Sequence, residues 1–125
     1  MEIWVNPSCS KCRAATAYLD EAGIDYTVRR YLDEPPTADE LTAVLHRLGL
    51  EPWDVARTGE KVAEEIGLGD LPRDPDNRDR WVAAMVEHPI LIQRPILTAD
   101  DGTTVLGRDP ESLREAAEAA AEPGR

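Results

Sequence analysis

The first 32 residues carry the pattern that most restricts how this chain can fold. A short β-prone run, EIWV at 2–5, ends at the turn-forming residues NPS. Apolar residues then recur at helical spacing from Ser10 to Ala22, and Gly23 ends that helix. The segment 24–32, IDYTVRRYL, alternates apolar and polar residues as a strand does. Strand, helix and strand within about 30 residues predict a βαβ unit with parallel strands and a right-handed crossover.

The middle of the chain is predicted to be helical. Thr37 and Glu40 have the spacing of a capping box, and the amphipathic helix that follows ends at Gly49. One or two short helices interrupted by glycine are expected over 51–72, and a further helix over 77–88.

Two strands and a helix are predicted to follow. Residues 88–107 contain two apolar runs separated by a DDG turn, which is the pattern of a β-hairpin. Residues 109–122 predict a helix capped by Asp109, with Pro110 at its first position.

This order of elements predicts the fold class. A βαβ unit, a helical stretch and a ββα unit make a thioredoxin-like α/β fold with a four-stranded mixed sheet. We expect a single domain over residues 1–125, with the helical insertion at about 33–88 and a frayed tail at 119–125.

Composition and charge restrict the function. The chain is 42% hydrophobic and 31% charged, as a globular protein is, and no apolar run approaches the roughly 20 residues that span a bilayer. The start lacks a secretion signal, so we expect a cytoplasmic protein without a membrane partner. A net charge of −11 disfavours nucleic acid as a partner. An anionic substrate would therefore need a local cluster of arginines.

The two cysteines, Cys9 and Cys12, form the strongest chemical motif, in WVNPSCSKCRAA at 4–15. Cys9 lies where the first strand gives way to the helix, and unpaired N–H groups and the helix dipole stabilise a thiolate there. Lys11 and Arg13 add positive charge nearby. Cys12 follows one helical turn later, so the pair suits a nucleophile and a resolving thiol.

Two other interpretations of the pair remain open. A structural zinc needs four ligands, and His46 and His88 have no ligand spacing that would complete the set, so no metal is expected. Two inert core cysteines are the second alternative, because free cysteine is often buried. The position before a helix in a βαβ unit favours reactive thiols.

Four segments extend the motif into a family resemblance. NPSC at 6–9, YLDEPPTADEL at 31–41, EHPILIQRPIL at 87–97 and VLGRDPE at 105–111 resemble the glutaredoxin-coupled arsenate reductases, the ArsC family. The resemblance is in register over roughly residues 3–115, and HPILIQRPI is its most specific part.

The resemblance implies a set of site residues. The catalytic cysteine of the family motif falls on Cys9, and the three arginines that bind the oxyanion fall on Arg57, Arg94 and Arg108. Pro95 is similar to the cis-proline that faces the active cysteine in thioredoxin folds. Arginine forks hold tetrahedral oxyanions in bidentate fashion, and such a cluster would also lower the pKa of the thiol.

The same resemblance implies the reaction and its reductant. Family members reduce arsenate to arsenite, take electrons from glutathione or a similar small thiol, and are regenerated through glutaredoxin. No tightly bound cofactor is expected.

Two positions depart from the family pattern. Val5 stands where members often carry a histidine, and Cys12 stands where they often carry serine. A Cys9–Cys12 disulfide would allow thioredoxin to replace glutaredoxin as the reductant. The pair also resembles that of Spx-type regulators, which sense oxidation and bind a partner, and a glutathione-dependent protein thiol reductase is a third alternative. The filled arginine positions favour the reductase.

Overall fold

The computed structural model describes residues 1–120. Its helices and strands follow the predicted order: β1 (Glu2–Val5), α1 (Ser10–Glu21), β2 (Thr27–Arg30), α2 (Ala38–Leu48), α3 (Pro52–Val55), α4 (Lys61–Glu65), α5 (Arg78–Glu87), β3 (Ile96–Thr98), β4 (Thr104–Leu106) and α6 (Pro110–Ala120). The predicted thioredoxin-like α/β class is confirmed. The fraying predicted for the tail falls mostly on residues 121–125, which lie outside the described part.

The chain divides into two compact units, and the first of them holds the sheet. Among the described residues, this sheet unit comprises 1–34 and 94–120. Its strand order is β2-β1-β3-β4, with β1 parallel to β2 and antiparallel to β3, and with β3 antiparallel to β4. The mixed four-stranded sheet is therefore the predicted one.

One face of the sheet forms the core of this unit. Alternate residues of a strand point to the same face, so Ile3 and Val5 lie together on β1. They pack with the neighbouring strands and with the inward faces of α1 and α6 in one buried cluster: Ile3, Val5, Cys12, Ala15, Leu19, Leu97, Val105, Leu113 and Ala116. Cys12 is thus a core residue as well as half of the motif.

The second unit, Pro35–Gln93, is helical. The Thr37–Glu40 capping box is present, and Gly49 ends α2 with a φ of 69°. Helices α2 and α5 pack through buried aliphatic residues and Trp81, whose ring meets that of Trp53 edge to face at 6.2 Å. The prediction of one domain over the whole chain is not tested by this division and stays a prediction.

Two predicted strand boundaries are wrong. The expected strand at 24–32 shortens to β2, because the N–H of Ile24 is bonded to the carbonyl of Leu19 and ladder pairing starts only at Thr27. The first part of the expected hairpin is a 3₁₀ turn at Pro89–Leu91. Proline has no N–H to donate to a ladder, so the apolar run there does not form a strand.

Candidate active site

The loop between β1 and α1 is held by Asn6. The carbonyl of this buried residue accepts a hydrogen bond from the N–H of Cys9 at 2.9 Å, and its side-chain Oδ1 accepts one from the N–H of Ser8 at 3.0 Å. Side chains of asparagine commonly close such turns by bonding the backbone two residues on. The result is that Cys9 occupies the N-cap position of α1, with φ −89° and ψ 123°.

The thiol of Cys9 lies in an environment that stabilises its anion. Partial burial raises the pKa of Cys9, but hydrogen bonds from the backbone N–H of Cys12, the side chain of Arg94, the thiol of Cys12 and the backbone N–H of Lys11 outweigh it. Together they lower the pKa to about 7. About half of this thiol is therefore a nucleophilic thiolate at neutral pH.

Cys12 has the opposite character. Its residue is only 2% exposed, and burial raises the pKa of its thiol to about 11, with a further rise from the charge of Cys9. The backbone N–H of Asn6 points at its sulfur at 3.4 Å and opposes the rise, as does the charge of Arg94. Both cysteines are free thiols. The two thiols thus differ in burial and in pKa although they stand one helical turn apart.

Two of the predicted arginines meet in the sheet unit. Arg94 is 8% exposed and its side chain bonds the sulfur of Cys9. Arg108, directly after Gly107, donates from Nη1 to the carbonyl of Arg94 at 2.6 Å. The Arg94–Pro95 peptide bond is cis, as the resemblance implied. Arg108 is thereby bonded to the backbone of Arg94, whose side chain reaches the thiol of Cys9.

Gly107 allows the close packing just before Arg108. A Cβ at this position would lie 2.5 Å from Cδ1 of Leu97 and 3.0 Å from Cδ2 of Leu113. Its N–H bonds the carbonyl of Pro95 at 2.9 Å. The absent side chain thus lets the chain leaving β4 run against the segment that carries Arg94.

The remaining predicted residues around the thiols lie at the surface or in the core. Lys11 is exposed and contributes to the Cys9 site through its backbone N–H, while Nη1 of Arg13 bonds the carbonyl of Pro7 at 3.3 Å. A role for their side-chain charges stays a prediction. Val5, which stands where the family often has histidine, is 6% exposed and belongs to the core cluster.

Arg57 belongs to the helical unit. Its side chain is 29% exposed, with Nε donating to Oε1 of Glu60 at 3.1 Å and Nη1 donating to Oε1 of Gln93 at 2.8 Å. The role of Arg57 in oxyanion binding stays a prediction from the resemblance.

Asn6 is the site residue that the sequence analysis did not single out. It organises the loop through its side chain, its carbonyl and its N–H, and these contacts reach both cysteines. The signal was available, because an Asn-Pro pair directly after a strand is typical of a turn that the asparagine side chain closes.

Two further findings concern the described residues 1–120. No helix among them is both long and apolar enough to cross a membrane. No group of three or more histidine, cysteine or acidic residues in this part of the chain is arranged to hold a metal ion.

Comparison with known proteins identifies the family. The ArsC family profile matches residues 4–116. An "uncharacterized protein in glnII region" of Streptomyces viridochromogenes is 60% identical over 116 residues, which cover 93% of this chain and 98% of that one. The arsenate reductase of Neisseria meningitidis serogroup A is 37% identical over 114 residues, covering 90% and 94%. The solved arsenate reductase from Vibrio cholerae has a TM-score of 0.82 and 39% identity, covering 93% of this chain and 98% of its own. The chain belongs to the ArsC family.

Proposed function

We propose that this protein reduces arsenate to arsenite, with Cys9 as the nucleophile. The observation that carries the proposal is the position of the Cys9 thiol at the N-cap of α1 and beside the buried Arg94, an arrangement that lowers its pKa to about 7. Relatives that match over most of the chain are named arsenate reductases, which supports arsenate as the substrate. The reaction needs reduced thiols, which the cytosol maintains, and a cytoplasmic location is part of the proposal.

The first step is attack of the Cys9 thiolate on arsenic. A sulfur–arsenic bond forms, an arsenic–oxygen bond breaks, and the oxygen leaves as water after protonation. Arsenic stays pentavalent in this adduct. The guanidinium of Arg94 and the adjacent Arg108 would bind the arsenate oxygens, and Arg57 is the third arginine proposed for this role.

The second step transfers two electrons to arsenic. A second thiol attacks the sulfur of Cys9, the sulfur–arsenic bond breaks with its electron pair on arsenic, and arsenite is released. The two thiols become a disulfide, so one arsenate and two thiols yield arsenite, one disulfide and water. The cycle closes when a further thiol reduces the disulfide.

We propose Cys12 as the second thiol. It contacts the Cys9 sulfur, and part of the rise in its pKa comes from the Cys9 charge. When Cys9 bonds arsenic, the negative charge moves from its sulfur onto the arsenate oxygens, which the arginines would neutralise, so the contribution of Cys9 to the raised pKa of Cys12 becomes smaller. The Cys9–Cys12 disulfide would then be reduced by thioredoxin, or by glutathione with glutaredoxin.

The test is arsenite formation by the reduced protein. Wild-type protein, Cys9→Ser and Cys12→Ser are each supplied with arsenate and either thioredoxin with its reductase or glutathione with glutaredoxin. We expect many equivalents of arsenite per wild-type protein and at least about a thousandfold loss in Cys9→Ser. Cys12→Ser should lose the thioredoxin-supported reaction and retain turnover only where glutathione replaces the second thiol.

Two results would redirect the proposal. No arsenite from wild-type protein, together with a Cys9–Cys12 disulfide that forms under peroxide, would favour a redox-switched binding protein of the Spx type. Release of glutathione from glutathionylated proteins in the same assay would favour a protein thiol reductase.

A further inference from the structure

The backbone of Arg57 is held in place by two hydrogen bonds between two segments of the helical unit. The N–H of Arg57 donates to the carbonyl of Leu91 at 2.7 Å, and the N–H of Gln93 donates to the carbonyl of Val55 at 2.9 Å. Between these bonds Ala56 and Ile92 form an antiparallel bridge. The backbone at 55–57 therefore has little freedom to shift, and it brings Gln93 beside Arg57.

The guanidinium itself is oriented by two side chains. Oε1 of Glu60 accepts from Nε at 3.1 Å, and Oε1 of Gln93 accepts from Nη1 at 2.8 Å. The N–H of Glu60 also donates to the carbonyl of Arg57 at 3.1 Å, so a turn brings the carboxylate back to the arginine. These bonds use two of the five N–H donors that a guanidinium carries and leave both Nη2 hydrogens for another acceptor.

The two acceptors differ in charge. Gln93 orients Arg57 without altering its charge, whereas Glu60 places a carboxylate on the same guanidinium. Both Arg57 and Glu60 are somewhat less than one-third exposed, so solvent screens this pair only in part. An anionic ligand at Arg57 is therefore attracted by the guanidinium and repelled by the carboxylate of Glu60.

We propose that Glu60 is a positioning and specificity-determining residue for the oxyanion. Its carboxylate and the Gln93 amide hold Arg57 with Nη2 available, and its charge weakens the affinity of Arg57 for a dianion. This inference rests on the proposed function, in which Arg57 binds the arsenate oxygens. The chemical consequence is an oxyanion affinity lower than the arginines alone would produce.

The substitution that separates orientation from charge is Glu60→Gln. The amide retains an oxygen acceptor at the same reach and removes the charge. We expect KM for arsenate to fall about three- to tenfold, with kcat little changed. This is the effect on affinity expected when one partly exposed charge is removed several ångströms from a bound dianion. In Glu60→Ala the acceptor is also lost, and KM should lie about three- to tenfold above that of Glu60→Gln.

The matched control is Glu65→Gln, which removes one charge from an exposed side chain of α4. It should leave KM unchanged, and the advantage of Glu60→Gln should shrink as salt is added. Urea unfolding of each variant checks that the fold is intact. A KM for Glu60→Gln within about twofold of wild type, or equal KM values for Glu60→Gln and Glu60→Ala, would overturn the inference.

Calorimetric titration distinguishes failure of the inference from failure of the proposed function. Arsenate and phosphate are titrated into Cys9→Ser and into the double variant that adds Glu60→Gln. Tighter oxyanion binding by the double variant supports the role of Glu60 even if the wild-type protein turns over no arsenate. Equal binding, or no oxyanion binding by either protein, refutes it.

Discussion

Arg94 in the sheet unit and Arg57 in the helical unit are the same residue type in opposite surroundings. Arg94 is 8% exposed and bonds a thiol, whereas the Arg57 side chain is 29% exposed and bonds a carboxylate and an amide. The buried arginine changes its neighbour by lowering the pKa of Cys9. The more exposed arginine is itself restrained by its neighbours. Burial and the choice of partner, more than residue type, decide what each guanidinium does.

Removing the buried arginine should produce the largest effect. Arg94→Ala is expected to lower arsenate turnover about 10²- to 10³-fold, because the lost side chain is a buried cation that stabilises the thiolate and is proposed to bind the oxyanion. The pKa of Cys9 should rise above about 7, so alkylation of Cys9 continues but needs a higher pH. Steady-state assays and a pH titration of alkylation measure the two effects.

Arg114→Ala is the control, since that arginine is exposed on α6. It should change neither turnover nor the pKa of Cys9. Wild-type turnover in Arg94→Ala would mean that the assignment of Arg94 to the oxyanion is wrong.

The second largest expected effect is the difference in alkylation rate between the two thiols. Alkylation of Cys9 is expected to rise with pH through about 7 and then level off, while Cys12 stays protonated until pH approaches about 11. The thiolate fractions of the two cysteines at pH 7 differ by more than a thousandfold. Because a thiolate of lower pKa is intrinsically less reactive, the alkylation rates of Cys9 and Cys12 should differ by only about a hundredfold. Burial of Cys12 adds to that ratio.

Mass spectrometry of protein alkylated with iodoacetamide at a series of pH values measures both rates. Denatured protein is the control, in which the two cysteines should react alike. A titration midpoint of about 8.5 or higher for Cys9 in the folded protein would contradict the proposed activation of this thiol.

The smallest expected effect is on stability and comes from replacing one glycine in each unit by alanine. Gly107→Ala should destabilise the protein by about 1–3 kcal/mol, because the new methyl group would meet Leu97 and Leu113 inside the core of the sheet unit. Gly59→Ala in the helical unit meets nothing within 4 Å and should change stability by about 0.5 kcal/mol or less. Urea unfolding measures both, and equal stabilities would show that the Gly107 contact is relieved at no cost.

Local sequence patterns predicted most of the elements and the position of the nucleophile. The Thr37–Glu40 capping box, the end of α2 at Gly49 and the start of α1 after Cys9 are all predicted and all present. Each depends on hydrogen bonds or dihedral preferences among residues at most four positions apart, and such interactions can be predicted from a short stretch of sequence.

The failures concern where the strands begin. The first strand of the hairpin predicted over 88–107 begins only at Ile96. Pairing requires a partner with matching N–H and C=O groups, and among the described residues 88–95 only Ile92 forms a bridge. The strand expected at 24–32 starts late for a local reason, because the carbonyl of Leu19, five residues earlier, accepts the N–H of Ile24 just after α1. Neither the pairing partner of a strand nor this hydrogen bond can be predicted from the hydrophobic periodicity of the sequence.

By itself, the sequence determined the order of elements, the thioredoxin-like class and the location of Cys9 at a helix start. Only the tertiary structure decided that Cys12 is buried with a raised pKa, that Arg94 reaches the Cys9 sulfur, and that Glu60 and Gln93 restrain Arg57. The physical reason is that helix starts and turns arise from neighbouring residues. Burial and the pairing of distant side chains are set only when the whole chain has packed.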